Sequence, residues 1–267
     1  MIKRACISYL KRRGLGVHSL TKAKEAAPVV PAVPDYYYDE ENLKTSINHD
    51  FVKDPRFVRA LDAGRNTPNS SLGHHGRWHL HLVLWAATRA VATKTDIVQL
   101  GVFEGSEAIS IADYTDFANT QSRMVLMDTF TGVPEALWKP EEIAAGADSA
   151  QWAYKKAGDS YAWVRDRFKS FPNVEVIQGT VPDALPQIKS DRIGLLMLDL
   201  NCAGPEREAA EFLWDRLVAG GIVLSDDYGH SREGAGFYAQ KLAFDAFAKS
   251  KGVEVLYLPT GHGLIVK

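Results

Sequence analysis

The stretch DIVQLG at residues 96–101 is the first of four similar stretches that decide the fold. The other three are MVLMD at 124–128, LLMLD at 195–199 and IVLSDD at 222–227. Each is a short, nearly continuous apolar run that ends in a glycine or in acidic residues. Runs of this kind are typical of strands buried on both faces, as in a parallel sheet covered by helices.

The residues that close these runs indicate a binding site. In open sheets of this type, ligands bind in the crevice outside the carboxyl ends of the strands. One acidic residue at a strand end is common, but several at the same edge favour a site. The residues expected along that edge are Gly101, Asp128, Asp199, Asp226 and Asp227.

Helical periodicity alternates with apolar runs over most of the chain. The further expected elements are helices over about 106–119, 205–218 and 239–251 and strands over 174–178, 253–258 and 264–267. A short Gly-containing turn separates the last two strands, which is typical of an antiparallel hairpin. We therefore expect an α/β protein with a Rossmann-like, doubly wound, mostly parallel seven-stranded sheet that ends in this hairpin.

The first seventy residues differ in character from the rest. Residues 1–25 are basic, and residues 26–34 are rich in proline, which excludes a helix there. We expect residues 1–70 to form an N-terminal extension and cover segment, and residues 71–267 to form the ligand-binding domain. Residues 130–165 are a long insertion with several Trp and Tyr residues, and connections of this length often act as lids.

Composition narrows the class of protein. The chain has 267 residues, of which 46% are hydrophobic and 24% charged, as in ordinary globular proteins. A formal net charge of −2 gives no electrostatic case for a nucleic-acid partner. Two cysteines argue against a disulfide framework, and no apolar run approaches the ~20 residues that span a bilayer. We expect a cytoplasmic protein, and homo-oligomer formation stays open.

The loop GVFEGS at 101–106 joins the first strand to its helix. Its glycines allow the backbone to approach a ligand, and the helix N-terminus offers free N–H groups. Asp128, at the end of the next strand, can accept both hydroxyls of a ribose. The negative charge of Glu104 repels a pyrophosphate and attracts a sulfonium or amino group, which favours S-adenosylmethionine over NAD. Alternatively, the glycines are turn residues and Asp128 is a helix cap.

The second acidic group is Asp199, Asp226 and Asp227. Clustered carboxylates repel one another unless they are protonated or neutralised by a cation, and oxygen ligands of this kind suit Mg²⁺ or Ca²⁺. A metal there would hold a substrate hydroxyl and lower its pKa. The alternative is that the two adjacent acids only cap the following loop.

The histidines give a weaker pattern. His230 lies at the same edge, three residues after Asp227, and is a candidate general base, although a surface position is an equal alternative. The group His74, His75, His79 and His81 matches no standard zinc spacing, and His81 shares a helical phase with tryptophans, as a packed residue does. His262 has no evident role in the sequence.

With these residues assembled, the chain resembles the class I S-adenosylmethionine-dependent methyltransferases, and within them the macrocin O-methyltransferase (TylF-type) group. The resemblance covers residues 77–267 and is strongest at DTFTGVPE (128–135) and DDYG (226–229). It implies that Gly101, Glu104 and Ser106 hold the methionine end, that Asp128 binds the ribose, and that Gly179 and Thr180 flank the adenine. The full expected cofactor-binding set is Gly101, Glu104, Gly105, Ser106, Asp128, Thr129, Gly179, Thr180 and Asp199.

The resemblance also implies that Asp199, Asp226 and Asp227 are Mg²⁺ ligands. One departure concerns the general base. Many members of the group have Asp-Gly-Asp where this chain has Asp199-Leu200-Asn201, and the second Asp is their proposed base. Because Asn201 cannot accept a proton, we expect Asp199, His230 or a metal-bound hydroxyl to replace it, or the chemistry to differ. The candidate catalytic residues are therefore Asp199, His230 and Asn201.

The sequence therefore predicts an O-methyltransferase that uses S-adenosylmethionine, assisted by Mg²⁺, and acts on a hydroxyl of a sugar or glycosylated small molecule. The expected partner is a small-molecule or glycan acceptor. Two alternatives stay open at this point: an NAD-dependent oxidoreductase, and a catalytically inactive methyltransferase-like binding module in which Asn201 marks the lost base.

Overall fold

The computed structural model describes residues 38–40, 43–70, 72 and 76–267. The expectations for the basic stretch 1–25, the proline-rich stretch 26–34, His74 and His75 lie outside these residues. A small antiparallel sheet begins the described part, with Tyr38 paired to Thr45. Its strands are β1 (Tyr38–Glu40) and β2 (Leu43–Thr45).

The main sheet has seven strands, as the sequence predicted. They are β3 (Asp96–Leu100), β4 (Met124–Asp128), β5 (Val174–Gln178), β6 (Ile193–Leu198), β7 (Leu217–Ser225), β8 (Leu256–Tyr257) and β9 (Gly263–Val266). Their order is β5-β4-β3-β6-β7-β9-β8. Strand β9 is antiparallel to both neighbours, whereas β3 to β7 pair in parallel. The doubly wound sheet with a terminal antiparallel hairpin is confirmed.

Helices cover both faces of this sheet and form two apolar cores with it. The described α-helices are α1 (Pro55–Arg65), α2 (Arg77–Ala92), α3 (Ser106–Thr115), α4 (Pro140–Ala144), α5 (Gln151–Ala157), α6 (Ser160–Phe168), α7 (Ala203–Leu213) and α8 (Tyr238–Lys251). One core contains α2 and α3, and the other contains α7 and α8. The central strands are buried on both faces, which explains their unbroken apolar runs. None of the described helices has the length and apolarity needed to span a membrane.

Helix α1 was not expected from the sequence, and it packs into the first core. Its Phe57 and Leu61 are buried in the same cluster as residues of α2 and α3. Gly64 permits the close approach to α3, because a Cβ at this position would lie 2.2 Å from the Ser110 hydroxyl oxygen. The Ser110 hydroxyl in turn donates a 2.8 Å hydrogen bond to the carbonyl of Ala60.

Several predicted boundaries were wrong, and the helix expected over about 106–119 ends at Thr115. The helix expected over 205–218 ends at Leu213, and β7 begins at Leu217 because that residue pairs with Ile193. Gly220 and Gly221 therefore lie inside β7, in an irregularity of the pairing with β6, and not in a turn before the strand. The strand expected over 253–258 is reduced to Leu256–Tyr257, the only part that pairs with β9.

Candidate cofactor and metal site

The acidic residues meet at the carboxyl edge of the sheet, as expected, because the strands that carry them pair in register. Leu100 of β3 is the partner of both Met127 in β4 and Leu198 in β6. The residues that follow continue this alignment. The amide of Asp199 donates to the carbonyl of Leu100 at 2.9 Å, and the amide of Asp226 donates to the carbonyl of Leu198 at 2.9 Å.

The loop after β3 has a backbone that needs its first glycine. Gly101 has a φ of 89°, and a Cβ there would lie 1.7 Å from the carbonyl oxygen of Asp199. The glycine is therefore required by the close approach of two strand ends, before any ligand is considered. Phe103 and Gly105 also have positive φ, of 52° and 75°, and they turn the chain into the N-terminus of α3.

Asp128 is buried and organises this loop. Its Oδ2 accepts hydrogen bonds from the amides of Val102 and Phe103, both at 2.7 Å. Its Oδ1 accepts from the amide of Phe130 at 2.7 Å and from the Thr129 hydroxyl at 3.3 Å. The carboxylate thus joins the loop after β3 to the loop after β4, and it lies where the sequence predicted a ribose-binding acid.

The insertion closes over Asp128. The phenol of Tyr154, in α5, donates to Oδ2 of Asp128 at 2.9 Å, and its ring lies edge-on to Phe103 at 5.0 Å. Burial, followed by the charge of Asp128, raises the pKa of this phenol well above its ordinary value, so the hydroxyl keeps its proton. The amide of Gln151, also in α5, donates to the carbonyl of Val133.

The space beneath this cover is small. A cavity of about 40 Å³ has a lining that includes Thr129, Gly179 and Thr180 together with Asp128 and Tyr154. That is room for a few water molecules, not for a nucleoside. The predicted adenosine-side residues are therefore brought together, with α5 closed over them.

Glu104 and Ser106 occupy different surroundings. Glu104 is buried, and its two oxygens accept hydrogen bonds from the amide of Asn69 at 2.7 Å and from the side-chain nitrogen of Asn69 at 3.0 Å. It ties the segment before α2 to the loop after β3. Ser106, at the start of α3, lines a second and larger cleft. The roles predicted for both residues at the methionine end of a cofactor stay predictions.

The larger cleft has a volume of about 600 Å³ and lies next to the small cavity. Gly101, Tyr154, Asp199 and Asn201 line both spaces. The rest of the lining mixes polar and aromatic side chains and includes Asn69, Ser70, Gln99, Phe103, Glu107, Trp152, Lys156, Asp226, Asp227, His230 and Phe237. Volumes of this order are typical of small-molecule sites.

The three aspartates form a compact group on the wall of this cleft. One carboxylate oxygen from each of Asp199, Asp226 and Asp227 lies within 4.8 Å of the other two. Burial and the charge of Asp226 raise the pKa of Asp199 well above its ordinary value, and burial and the charge of Asp199 do the same for Asp227. The group therefore has a strong tendency to take up protons or a cation, which is the property expected of a metal site.

Asn201 and His230 flank this group from different loops. Asn201 has a φ of 54°, and its side-chain amide donates to Oδ1 of Asp199 at 2.8 Å. The indole of Trp138, in the insertion, donates to the Asn201 carbonyl at 3.2 Å. His230 lines the cleft, and its ring lies so close to Gly261 that a Cβ there would be 2.6 Å from Nε2.

Three residues near the carboxyl edge of the sheet were not identified as site residues from the sequence. His79 of α2 and His262 of the final turn are buried beside Asp226, and Glu107 of α3 contacts His79. His81, by contrast, stacks on Phe51 at 4.1 Å and is the packed residue that its helical phase predicted. No sequence signal links His79 to His262, because they lie near opposite ends of the described chain.

The strand order, the glycine loop and the acidic strand ends define a methyltransferase of the Rossmann-like class. The chain belongs to the Macrocin-O-methyltransferase (TylF) family, whose sequence profile matches residues 26–253, and it is therefore an O-methyltransferase of the S-adenosylmethionine-dependent type. This confirms the resemblance seen in the sequence. No functionally curated protein sequence matches the chain significantly.

Solved structures of methyltransferases share this fold. The chain is similar to the O-methyltransferase NovP, with 18% identity, a TM-score of 0.59 and coverage of 72% of this chain and 80% of NovP. It is similar to the calicheamicin methyltransferase CalS11, with 17% identity, a TM-score of 0.59 and coverage of 82% and 94%. A methyltransferase from Podospora anserina, PaMTH1, solved with S-adenosylhomocysteine, gives 18% identity, a TM-score of 0.50 and coverage of 80% and 91%.

Proposed function

We propose that this methyltransferase acts on a hydroxyl of a sugar or glycosylated small molecule and that Mg²⁺ assists the reaction. The observation that carries the proposal is the position of the three aspartates. Asp199 lines both the small cavity under α5 and the 600 Å³ cleft, and Asp226 and Asp227 line the cleft beside it, so a cofactor and an acceptor would meet at this group. S-adenosylmethionine, when bound, supplies an activated methyl group.

The residues around the small cavity fit the cofactor that the family implies. Asp128 offers carboxylate oxygens to a diol, and Met127 and Val181 offer apolar surface to a base. Asp199 lies between the two spaces and offers negative charge to a sulfonium or amino group. Gly101, Gly105 and Ser106 would support the methionine end from the start of α3, with Thr129, Gly179 and Thr180 on the adenosine side. Entry of the cofactor requires α5 to move away from Asp128.

The aspartate group also fits Mg²⁺, which prefers carboxylate and water oxygens. Asp199, Asp226 and Asp227 would hold the ion, and the ion would neutralise their mutual repulsion. A bound cation also lowers the pKa of a hydroxyl that contacts it. The amide of Asn201 keeps Asp199 oriented, since it donates to one of its oxygens.

The lining of the larger cleft suits a polyhydroxylated acceptor. Polar side chains such as Asn69, Ser70 and Lys156 would pair with hydroxyl groups, and Trp152 and Phe237 would cover the apolar face of a sugar ring. CalS11 is described as a TDP-rhamnose 3'-O-methyltransferase, and we extend a sugar acceptor of that kind to this chain as part of the proposal. Within the cleft, His230 is the candidate for the base that removes the hydroxyl proton, since imidazole accepts protons near neutral pH.

Turnover with defined acceptors tests the proposal. The purified chain would be incubated with S-adenosylmethionine and a panel of nucleotide sugars, glycosides and catechols, with Mg²⁺ or with EDTA, and S-adenosylhomocysteine would be measured. The proposal expects product with a sugar acceptor, reduced at least tenfold by EDTA. Preference for catechols would contradict the acceptor class, and full activity in EDTA would contradict the metal. Cofactor binding without turnover on any acceptor would support the inactive binding module that Asn201 suggests.

A further inference from the structure

Asp226 also belongs to a second group of nitrogen and oxygen ligands, which it forms with His79 and His262. Nε2 of His262 is 3.1 Å from Oδ1 of Asp226, and Nε2 of His79 is 3.5 Å from the same oxygen. The two imidazole rings are 4.3 Å apart between centroids. Glu107 completes the group, with its Oε1 2.6 Å from Nε2 of His79.

Four separate elements bring these side chains together. His79 comes from α2, Glu107 from the first turn of α3, Asp226 from the end of β7, and His262 from the turn before β9. Both histidines are almost fully buried, with 0% and 2% exposure. Burial of two imidazoles against two carboxylates has a desolvation cost, which mutual pairing or a bound metal ion offsets.

The geometry suits a metal ion bound by nitrogen as well as oxygen. One ligand atom from each of His79, Asp226 and His262 lies within 4.8 Å of the others. A tetrahedral ion with bonds of about 2.0–2.1 Å separates its ligands by about 3.3 Å, which is close to the distances from Asp226 to the two histidines. Imidazole ligands favour Zn²⁺ and similar transition metals, whereas Mg²⁺ favours oxygen.

The outer contacts match those of metal-binding side chains. Nδ1 of His262 is 3.0 Å from the Thr260 hydroxyl, so the second ring nitrogen is already oriented. Oε2 of Glu107 accepts a hydrogen bond from the side-chain nitrogen of Gln99 at 3.2 Å. Ligating histidines and carboxylates are typically fixed by such partners. Glu107, Gln99 and Asp226 also line the 600 Å³ cleft, which gives an ion a route to the site.

We propose that His79, Asp226 and His262 form a second metal site, with Glu107 as the hydrogen-bond partner of His79 beside it. The site would take a divalent transition-metal cation such as Zn²⁺, and it shares Asp226 with the three-aspartate group. The site goes beyond the proposed methyl transfer and does not depend on cofactor binding. An ion there would also offset the excess of negative charge around Asp226.

Metal titration of the full-length chain tests this site. EDTA-treated and desalted protein would be titrated with Zn²⁺ against a chromophoric chelator, and Co²⁺ would be added separately to record its visible spectrum. The variants are His262→Gln, His79→Gln and Asp199→Asn, with His49→Gln as the control for non-specific histidine binding. Far-UV circular dichroism and melting curves would establish that each variant is folded, and His262→Gln retains a test if His79→Gln fails to fold.

The proposal expects one Zn²⁺ bound per chain and a Co²⁺ spectrum of tetrahedral intensity. His262→Gln and His79→Gln should each weaken Zn²⁺ binding by at least about 100-fold, more than the loss of an outer partner costs. Asp199→Asn and His49→Gln should change it less than about tenfold. Equal Zn²⁺ affinity in His262→Gln and the unmodified chain would overturn the proposal, and so would loss of binding in Asp199→Asn alone. Failure of S-adenosylmethionine to bind would affect the proposed function and leave this result intact.

Discussion

The Tyr154 phenol donates its hydrogen bond to the carboxylate of Asp128, the residue expected to receive the ribose hydroxyls, at 2.9 Å. The same oxygen of Asp128 accepts from two loop amides. A carboxylate oxygen has about two lone-pair positions, so a further donor must compete for the place that Tyr154 holds. The insertion therefore covers the cofactor side, and a bound cofactor has to displace the Tyr154 hydroxyl from Asp128.

Replacement of Tyr154 by Phe should tighten cofactor binding. It removes the competing donor and keeps the ring against Phe103. Since a hydrogen bond to a charged group contributes about 1.5–3 kcal/mol, of which part is regained through water, we expect a three- to tenfold lower Kd for S-adenosylhomocysteine by calorimetry. Tyr161→Phe, whose ring packs on Phe130, is the control and should leave the Kd unchanged. Weaker binding in Tyr154→Phe would show that the phenol is instead a cofactor contact.

Replacement of Gly101 by Ala should destabilise the fold severely. The new methyl group would meet the Asp199 carbonyl at 1.7 Å, at a φ of 89°. We expect a loss of about 3 kcal/mol or more in the free energy of unfolding, measured with urea. The matched control is Gly252→Ala, which has a φ of 69° with no atom of the described residues within 4 Å of the added Cβ. That variant should lose only about 1–2 kcal/mol. Equal losses in the two variants would contradict the close strand contact.

Glu206 should make stability fall as the pH rises. Burial raises the pKa of Glu206 to about 8, from 4.5 in the unfolded chain. Between these values the folded state keeps a proton that the unfolded state has lost. The stabilising contribution of the protonated Glu206 is therefore complete below pH 4.5 and declines up to about pH 8. The free energy of unfolding falls in this range with a slope of up to about 1.4 kcal/mol per pH unit.

Urea denaturation in EDTA at several pH values, on the unmodified chain and on Glu206→Gln, measures this contribution. As the pH is raised towards 8, the free energy of unfolding of Glu206→Gln should increase relative to that of the unmodified chain. A pH-independent difference would show that Glu206 is ionised in the folded protein.

His230 should control the rate and not cofactor affinity. It lines the larger cleft, and it does not line the small cavity that Asp128 lines. If it is the base, His230→Gln should lower kcat about 10²–10⁴-fold with an active acceptor, and the Kd of S-adenosylhomocysteine should stay the same. His49→Gln serves as the control. A kcat for His230→Gln within about twofold of the unmodified chain would assign the base elsewhere, with Asp199 the next candidate.

The sheet and its acidic edge were predictable because each depends on local sequence. An apolar run buried on both faces is visible in the sequence, and parallel pairing places the next residue of each run at the same edge. Asp128, Asp199, Asp226 and Asp227 were identified in this way. The glycine loop was also identified, although Gly101 is required by the Asp199 backbone and not only by a ligand.

The features that the sequence did not predict depend on contacts between distant segments. His79 and His262 meet only because the start of α2 and the turn before β9 both lie beside Asp226, and neither position has a spacing signal. Tyr154 was one aromatic residue among several in the insertion, and its contact with Asp128 depends on the packing of α5. The helix α1 was missed because its apolar face is short and because the stretch before it has an unusual composition.

The central claim is that Asp128 and the loop after β3 bind S-adenosylmethionine, and titration calorimetry with Asp128→Asn tests it most directly. Asparagine preserves the shape of the side chain but replaces a charged carboxylate oxygen, which accepts from the loop amides and is expected to accept from the ribose, by an amide group. We predict one-to-one binding of S-adenosylhomocysteine with a Kd in the micromolar range. Asp128→Asn should stay folded and bind at least about tenfold more weakly. Absence of binding to the unmodified chain, or equal affinity in the folded variant, would contradict it.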